Sequence, residues 1–188
     1  IYDTIGVSDT PDTIWIESPP YVQDSATQFF MPISDPDKLW KDNHTYHNYR
    51  FGLNPRTLGV MTFDGLDASG YPYAIGTTTT GYADYLTSKP IDLSETNISD
   101  SIYLSFLYQS QGLGDVPEST DSLVLEFYSN SQNQWFHIWS DSGKVVGPFR
   151  LMHIPINNPD FFSNAFQFRF KNYGGLSGAL DHFHLDMV

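Results

Sequence analysis

The sequence predicts an all-β fold, a two-sheet antiparallel jelly-roll sandwich with an irregular N-terminal segment. Aromatic residues make up 16% of the 188 residues, with 14 Phe and 12 Tyr, and such side chains pack well on a pleated sheet. Charged residues make up only 16%, a composition that argues against disorder. From Val60 onward, short alternating segments are separated by turn-rich stretches, which is typical of a sandwich or a barrel.

Each predicted strand is defined by apolar residues that recur at every second position. In Phe166–Lys171 three Phe alternate with three polar residues, which predicts one buried face and one wet face. In Leu123–Tyr128 the same rule turns Glu126 outward. The predicted strands are Val60–Phe63, Asp84–Ser88, Ile102–Tyr108, Leu123–Tyr128, Trp135–Trp139, Phe149–Ile156, Phe166–Lys171 and about Ala179–Val188.

The chain is predicted to divide into residues 1–59, an irregular segment packed on the sandwich, and residues 60–188, the jelly roll. The first part is expected to add an edge strand or two. Within it, Ser34 before Asp35-Pro36-Asp37 resembles a helix N-cap, which predicts a short helix over Ser34–Asp42. The Gln109–Ser122 stretch is long for a hairpin loop, so it is either a functional loop or a solvated acidic turn.

The charge balance excludes some partners. The formal net charge is −13, from 22 acidic and 9 scattered basic residues, so the chain should be repelled by nucleic acid and by anionic membranes. No apolar run approaches the roughly 20 residues of a membrane span, so no membrane insertion is expected. The absence of cysteine excludes disulfides and thiolate chemistry.

Several segments together resemble a known family. The succession ADYLTSKPIDLS, SIYLSFLYQ, LVLEFYS, WFHIWS, FRLMHIPI, FQFRFKNYGG and GALDHFHLDMV resembles MAM-like and concanavalin A-like jelly rolls. The segment GVMTFDGLDASGYPY resembles part of large surface proteins of Bacteroidota, many of them exported by type IX secretion. The resemblance covers Thr57–Val188 and implies a secreted or cell-surface location. Vertebrate-type MAM domains carry disulfide cysteines, which this chain lacks.

The resemblance also implies a structural calcium ion. In similar jelly rolls an acid at the position of Asp181 on the last strand binds calcium together with an acid that Asp64 matches. Calcium takes six to eight oxygen ligands, so Asp67 or Asp84 would join them. An ionised carboxylate on an apolar strand face is costly unless it is paired or metal-bound. The alternative is that Asp181 accepts hydrogen bonds at a strand end.

A second metal hypothesis concerns the same strand. His182, His184 and Asp186 alternate along it, and two histidines at this spacing can ligate zinc with a carboxylate completing the set. The alternative is that these residues simply occupy a wet sheet face.

Catalytic patterns are missing from the sequence. The four glutamates do not form the E-x-D-x-x-E pattern of catalytic concanavalin A-like glycosidases, and Glu126 stands alone on its strand. Neither a G-x-S-x-G turn nor a phosphate loop is present. The chain is therefore predicted not to be an enzyme and to have no catalytic residues.

Aromatic residues in or beside loops and strand ends are the candidates for ligand binding, because such rings stack on sugars or anchor protein interfaces. For two of them, Trp135 and Trp139, a place in the core is the alternative. The candidates are Tyr71, Tyr73, Tyr82, Tyr85, Trp135, Trp139 and Tyr173.

The predicted function is that of a non-catalytic interaction or adhesion module at the cell surface, with a protein or a glycan as partner. A carbohydrate-binding module is the first alternative, and it should show a sheet face or cleft lined with aromatic and polar groups. A component or substrate of a type IX secretion assembly is the second. A protein-binding module should instead show a flat apolar patch.

Overall fold

The computed structural model describes residues 39–188, all of which belong to a compact unit spanning Asp37–Val188. The strands are β1 Trp40–Asn43, β2 Tyr46–Asn48, β3 Val60–Phe63, β4 Thr80–Ser88, β5 Tyr103–Ser110, β6 Ser122–Ser129, β7 Gln134–Ser142, β8 Arg150–Pro155, β9 Gln167–Gly175 and β10 Phe183–Asp186. Two short 3-10 turns, Ile98–Asp100 and Pro159–Phe161, lie in the loops. Within this part of the chain no helix has the length and apolarity needed to cross a membrane.

The strands form two five-stranded antiparallel sheets that pack as a sandwich. The first sheet has the order β1-β4-β9-β6-β7 and the second has the order β2-β3-β10-β5-β8. The predicted two-sheet antiparallel β-sandwich is therefore confirmed. The predicted strand over Val60–Phe63 has the observed bounds, and the Leu123–Tyr128 strand is longer by one residue at each end.

The segment ahead of Val60 supplies one edge strand to each sheet. β1 pairs with β4 and β2 pairs with β3. These are the edge strands expected from this part of the chain, although they lie before the boundary placed at Val60. Of the helix expected over Ser34–Asp42, residues 34–38 lie outside the described residues. Trp40–Asn43 is a strand because Trp40 packs edge-to-face on Phe168 and the backbone pairs with β4.

The core lies between the sheets and is built mainly from phenylalanine. Phe106 and Phe170, which come from opposite sheets, meet with ring centroids 4.8 Å apart in an edge-to-face arrangement. Each such side chain contributes about 1.5–3 kcal/mol when it leaves water. The fully buried apolar residues include Phe63, Leu86, Phe106, Leu123, Leu125, Phe127, Phe170 and Phe183.

The outer face of the second sheet is covered by the chain between β2 and β3. Outward side chains of the sheet bind the backbone of this crossing segment, residues 49–59. Gln109 forms hydrogen bonds with both the N–H and the carbonyl of Leu53, at 2.8 and 3.0 Å. Asp186 accepts from the N–H groups of Arg56 and Thr57. Gln109 and Asp186 are therefore buried although they face outward, because their polar groups satisfy the backbone of a remote segment. Tyr103, at the other end of β5, stays 54% exposed.

Candidate functional site

Aromatic rings gather on the outer face of the first sheet. Tyr82 is 47% exposed and the other rings are half-buried. The ring centroids of Tyr82 and Tyr173 lie 5.3 Å apart, and those of Tyr128 and Trp135 lie 5.1 Å apart. We call this surface the aromatic face; its rings belong to Tyr82 and Tyr85 of β4, Tyr128 of β6, Trp135 of β7 and Tyr173 of β9.

Strand pairing puts these rings on one side, and a register shift in β4 between Tyr82 and Tyr85 lets both tyrosines face the same way. Tyr85 pairs with Lys171 across the β4–β9 ladder, and Tyr128 pairs with Trp135 across the β6–β7 ladder. Directly opposed residues of antiparallel strands share a face. Leu86 next to Tyr85 and Phe127 next to Tyr128 point into the core and are fully buried.

Three charged side chains lie among the rings. Glu126 of β6 accepts from Arg169 Nε at 3.2 Å and lies 2.5 Å from Lys171 Nζ. The side chains of Arg169, Glu126 and Lys171 are only 22%, 11% and 8% exposed. The sequence predicted a wet face here, and for Lys171 and Glu126 that prediction is wrong. The two cations share one carboxylate; the surrounding rings shield Glu126 and Lys171 from water, while the Arg169 side chain stays partly exposed.

The two cations also contact the rings directly. The Arg169 guanidinium carbon lies 4.2 Å from the Trp135 ring centroid and 5.4 Å from that of Tyr85. Lys171 Nζ lies 3.7 Å from the Tyr82 ring centroid. Such cation–π contacts contribute about 0.5–2 kcal/mol each. Rings and charges therefore hold one another in place, which leaves little side-chain freedom to lose when a ligand binds.

The other aromatic candidates lie elsewhere. Trp139 points into the core, with its ring centroid 5.3 Å from that of Phe106 and 5.0 Å from that of Tyr108. A place in the core was the alternative to ligand binding that the sequence offered for this residue. Tyr71 is 67% exposed in the β3–β4 connection. Tyr128 was not among the candidates, although its outward position in the β6 alternation could have indicated it.

Tyr73 has a structural contact instead of a free hydroxyl. Its OH donates to Asp84 Oδ1 at 3.0 Å, while Asp84 Oδ2 accepts from the N–H groups of Asp64 and Gly65 at 2.7 and 2.8 Å. Burial, with a contribution from the Asp64 charge, raises the pKa of Asp84 to about 7. Burial and the nearby Asp84 also raise the pKa of the Tyr73 hydroxyl. This group ties the start of the β3–β4 connection to β4.

Two more of the expected calcium ligands have backbone partners in the same connection. Asp67 Oδ1 accepts from the N–H groups of Tyr71 and Ser69, and these bonds lower the pKa of Asp67. Asp64 Oδ1 accepts from Leu66 N at 3.1 Å, yet burial raises the pKa of Asp64. In the structure, Asp64, Asp67 and Asp84 thus hold turns by hydrogen bonds.

The carboxylate of Asp181 lies close to two acidic residues that were not among its predicted partners. Glu118, Asp121 and Asp181 each place a carboxylate oxygen within 4.8 Å of the other two. Asp181 and Asp121 are buried, while Glu118 is exposed. Burial raises the pKa of Asp181 and that of Asp121, the latter to about 7. Repulsion between the neighbouring carboxylates raises both pKa values further. We call these residues the acidic trio; Glu118 and Asp121 were not among the predicted ligands because they lie in the irregular loop between β5 and β6.

The predicted zinc residues have hydrogen-bond partners within the fold. His184 Nδ1 lies 2.9 Å from Thr62 Oγ1, and its Nε2 lies 2.9 Å from the Gln111 carbonyl oxygen. His182 Nδ1 accepts from the N–H of Asp115 at 3.0 Å. Asp186 binds the crossing segment with both oxygens. These groups hold the loop and the crossing segment to β10 and leave no free pair of nitrogens for zinc.

Comparison with known proteins does not add a family to this description. No protein-family model matches the chain, and no curated protein matches it.

Proposed function

We propose that this chain is a non-catalytic binding module of a secreted or cell-surface protein, and that its aromatic face binds a carbohydrate. The observation that supports this proposal is the alternation of rings and hydrogen-bonding groups on one sheet face. Tyr82, Tyr85 and Trp135 supply the rings, and the partly exposed guanidinium of Arg169, which Glu126 holds in place, supplies donors between them.

The chemistry of a sugar suits this arrangement. A pyranose ring has an apolar C–H face that packs on aromatic rings, and an edge of hydroxyl groups that needs donors and acceptors. The face extends over four neighbouring strands, β4, β9, β6 and β7, which is a width of roughly 15 Å at about 4.8 Å per strand. Such a width favours a chain of several sugars over a single one.

An adhesive role with a protein partner is the second candidate, and a place in a type IX secretion assembly would be one form of it. The stacking of Arg169 on Trp135 favours this alternative, because Trp, Tyr and Arg are enriched among residues that dominate protein interfaces. The mixture of buried charges and rings is more polar than the flat apolar patch expected of such a module, so the carbohydrate is the better supported ligand.

Glycan-array screening of the chain, followed by titration calorimetry with the best oligosaccharide, tests the proposal. Trp135→Ala and Tyr82→Ala should each weaken binding about tenfold or more, since each removes a packing surface for the sugar. Tyr103→Ala is the matched control, because Tyr103 is 54% exposed but lies on β5 of the other sheet.

Binding that survives both substitutions on the aromatic face would show that this face is not the site. Failure to bind any glycan, together with a protein partner whose affinity falls in Trp135→Ala, would favour the adhesive role and overturn the carbohydrate proposal. Circular dichroism of each variant separates loss of binding from loss of folding.

A further inference from the structure

The acidic trio presents an electrostatic problem inside a folded protein. Asp181 Oδ2 accepts from the N–H of Gly175 at 2.9 Å, but its buried Oδ1 has no hydrogen-bond partner among residues 39–188. A buried acceptor without a donor costs roughly 1–3 kcal/mol, and more when it is charged. The same side chain places a carboxylate oxygen within 4.8 Å of carboxylate oxygens of Asp121 and Glu118.

Three carboxylates at this spacing cannot all stay ionised without a compensating charge, since like charges at short range raise one another's pKa. A shared proton or a bound cation can supply that charge. The cluster offers up to six carboxylate oxygens and no nitrogen or sulfur ligand. This donor set suits a hard divalent cation of the calcium type, which takes oxygen ligands in flexible geometry.

The backbone around the cluster leaves it little freedom. A Cβ on Gly174 would lie 2.7 Å from Asp181 Oδ2, so a side chain there would displace this carboxylate. On the opposite side, Asp121 Oδ2 accepts from Glu118 N at 2.6 Å, and the Asp121 carbonyl accepts from Gly143 N at 2.8 Å. The carboxylates of Asp181 and Asp121 are therefore positioned before any ion arrives, and the exposed Glu118 side chain supplies the third carboxylate.

The loop between β5 and β6 is fastened unevenly to the last part of the chain. Its first half is held by hydrogen bonds, from Gln111 N to the His182 carbonyl and from Asp115 N to His182 Nδ1. Its second half, with Glu118 and Asp121, faces Asp181 with carboxylate against carboxylate. While all three carboxylates are ionised, this second contact is repulsive without a cation, and a bound cation turns it into a bridge.

We propose that Glu118, Asp121 and Asp181 form a binding site for a divalent cation of the calcium type, and that the bound ion fastens the second half of the Gln111–Asp121 loop to the start of β10. Of the residues that the resemblance implied as ligands, the site uses only Asp181. Glu118 and Asp121 take the place of Asp64, Asp67 and Asp84, which hold turns by hydrogen bonds.

Calcium titration of the full 188-residue chain tests this site, with the melting temperature and calorimetry as readouts. At saturating calcium the melting temperature should rise by about 5–10 °C, as expected when a ligand binds only the folded state of a domain of this size. Glu118→Gln and Asp121→Asn should each weaken calcium binding about tenfold or more, because affinity follows the number of charged ligands. Hydrogen exchange of the loop amides should slow on calcium addition in the unsubstituted chain.

Two matched controls separate the two sets of ligands. Asp84→Asn and Asp67→Asn should keep calcium affinity within about twofold, since neither carboxylate belongs to the acidic trio. Glu118 is exposed, so Glu118→Gln should fold and keeps the test decisive if a buried variant does not. Absence of calcium binding, or its loss in Asp84→Asn with retention in Glu118→Gln, would overturn the proposal.

Discussion

Gln109 and Leu53 form a reciprocal pair of hydrogen bonds. The amide oxygen of Gln109 accepts from Leu53 N at 2.8 Å, and its amide nitrogen donates to the Leu53 carbonyl at 3.0 Å. The same nitrogen donates to the Gly147 carbonyl at 2.8 Å. One side chain on β5 thus pairs with a backbone 56 positions away, as a neighbouring strand would.

Gln109→Ala should lower the free energy of unfolding by about 1–3 kcal/mol, because it removes the three hydrogen bonds that a buried side chain makes with partly buried backbone groups. Urea denaturation measures the change. Gln132→Ala serves as the control, because the Gln132 side chain is exposed and its amide nitrogen donates to the carboxylate of Asp160. Equal midpoints for the two variants would show that the crossing segment does not depend on Gln109.

Glu126→Gln should destabilise the chain by about 2–3 kcal/mol, because Lys171 and Arg169 then lose the carboxylate that they share in a site largely shielded from water. The double variant Glu126→Gln with Lys171→Met should recover part of this loss, since no unpaired ammonium remains. Thermal unfolding of the two variants and of Glu95→Gln, an exposed control, measures the effect. A double variant less stable than the single one would contradict this explanation.

His184 should make stability fall as the pH falls. Burial lowers the pKa of His184 to about 4, below the value of about 6.5 expected in the unfolded chain. The stabilisation from neutral His184 is therefore complete above about pH 6.5, and it is lost at up to about 1.4 kcal/mol per pH unit between pH 6.5 and 4. The stability difference between the unsubstituted chain and His184→Gln should shrink over this interval in urea titrations, and a constant difference would rule out the effect.

Calcium binding should release protons in mildly acidic solution. Burial and the neighbouring carboxylates raise the pKa of Asp121 to about 7, so near pH 6 the cation-free chain holds a proton that the ion must displace. Calorimetry in two buffers of different ionisation enthalpy should show release of about one proton near pH 6 and much less above about pH 8. Asp121→Asn should reduce the release, and proton uptake on binding would contradict the arrangement.

The strands could be predicted because their signal is local. Phe166, Phe168 and Phe170 recur at every second position, and the period alone assigns Phe168 and Phe170 to the inner face of β9 and Phe166, just ahead of that strand, to the same core. The same period makes Trp139 ambiguous, since a ring on a short strand suits either face until its partner Phe106 is known.

The fate of the outward-facing residues could not be predicted, because it depends on distant parts of the chain. Lys171 is shielded by Tyr82 and paired with Glu126, and His184 is covered by the loop that contains Gln111. The partners of Asp181 were missed for the same reason. Glu118 lies in a loop without periodicity, and only the fold brings the two together.

The short stretch from Trp40 to Asn48 closes an edge of both sheets, through β1 on β4 and β2 on β3. One proteolytic cut between Asn48 and Val60, followed by loss of the released piece, would bare two strand edges at once. Unpaired edges recruit other chains, so the trimmed product should self-associate. Expression of the sandwich by itself therefore requires a start ahead of Trp40, and a fragment that begins at Val60 should aggregate.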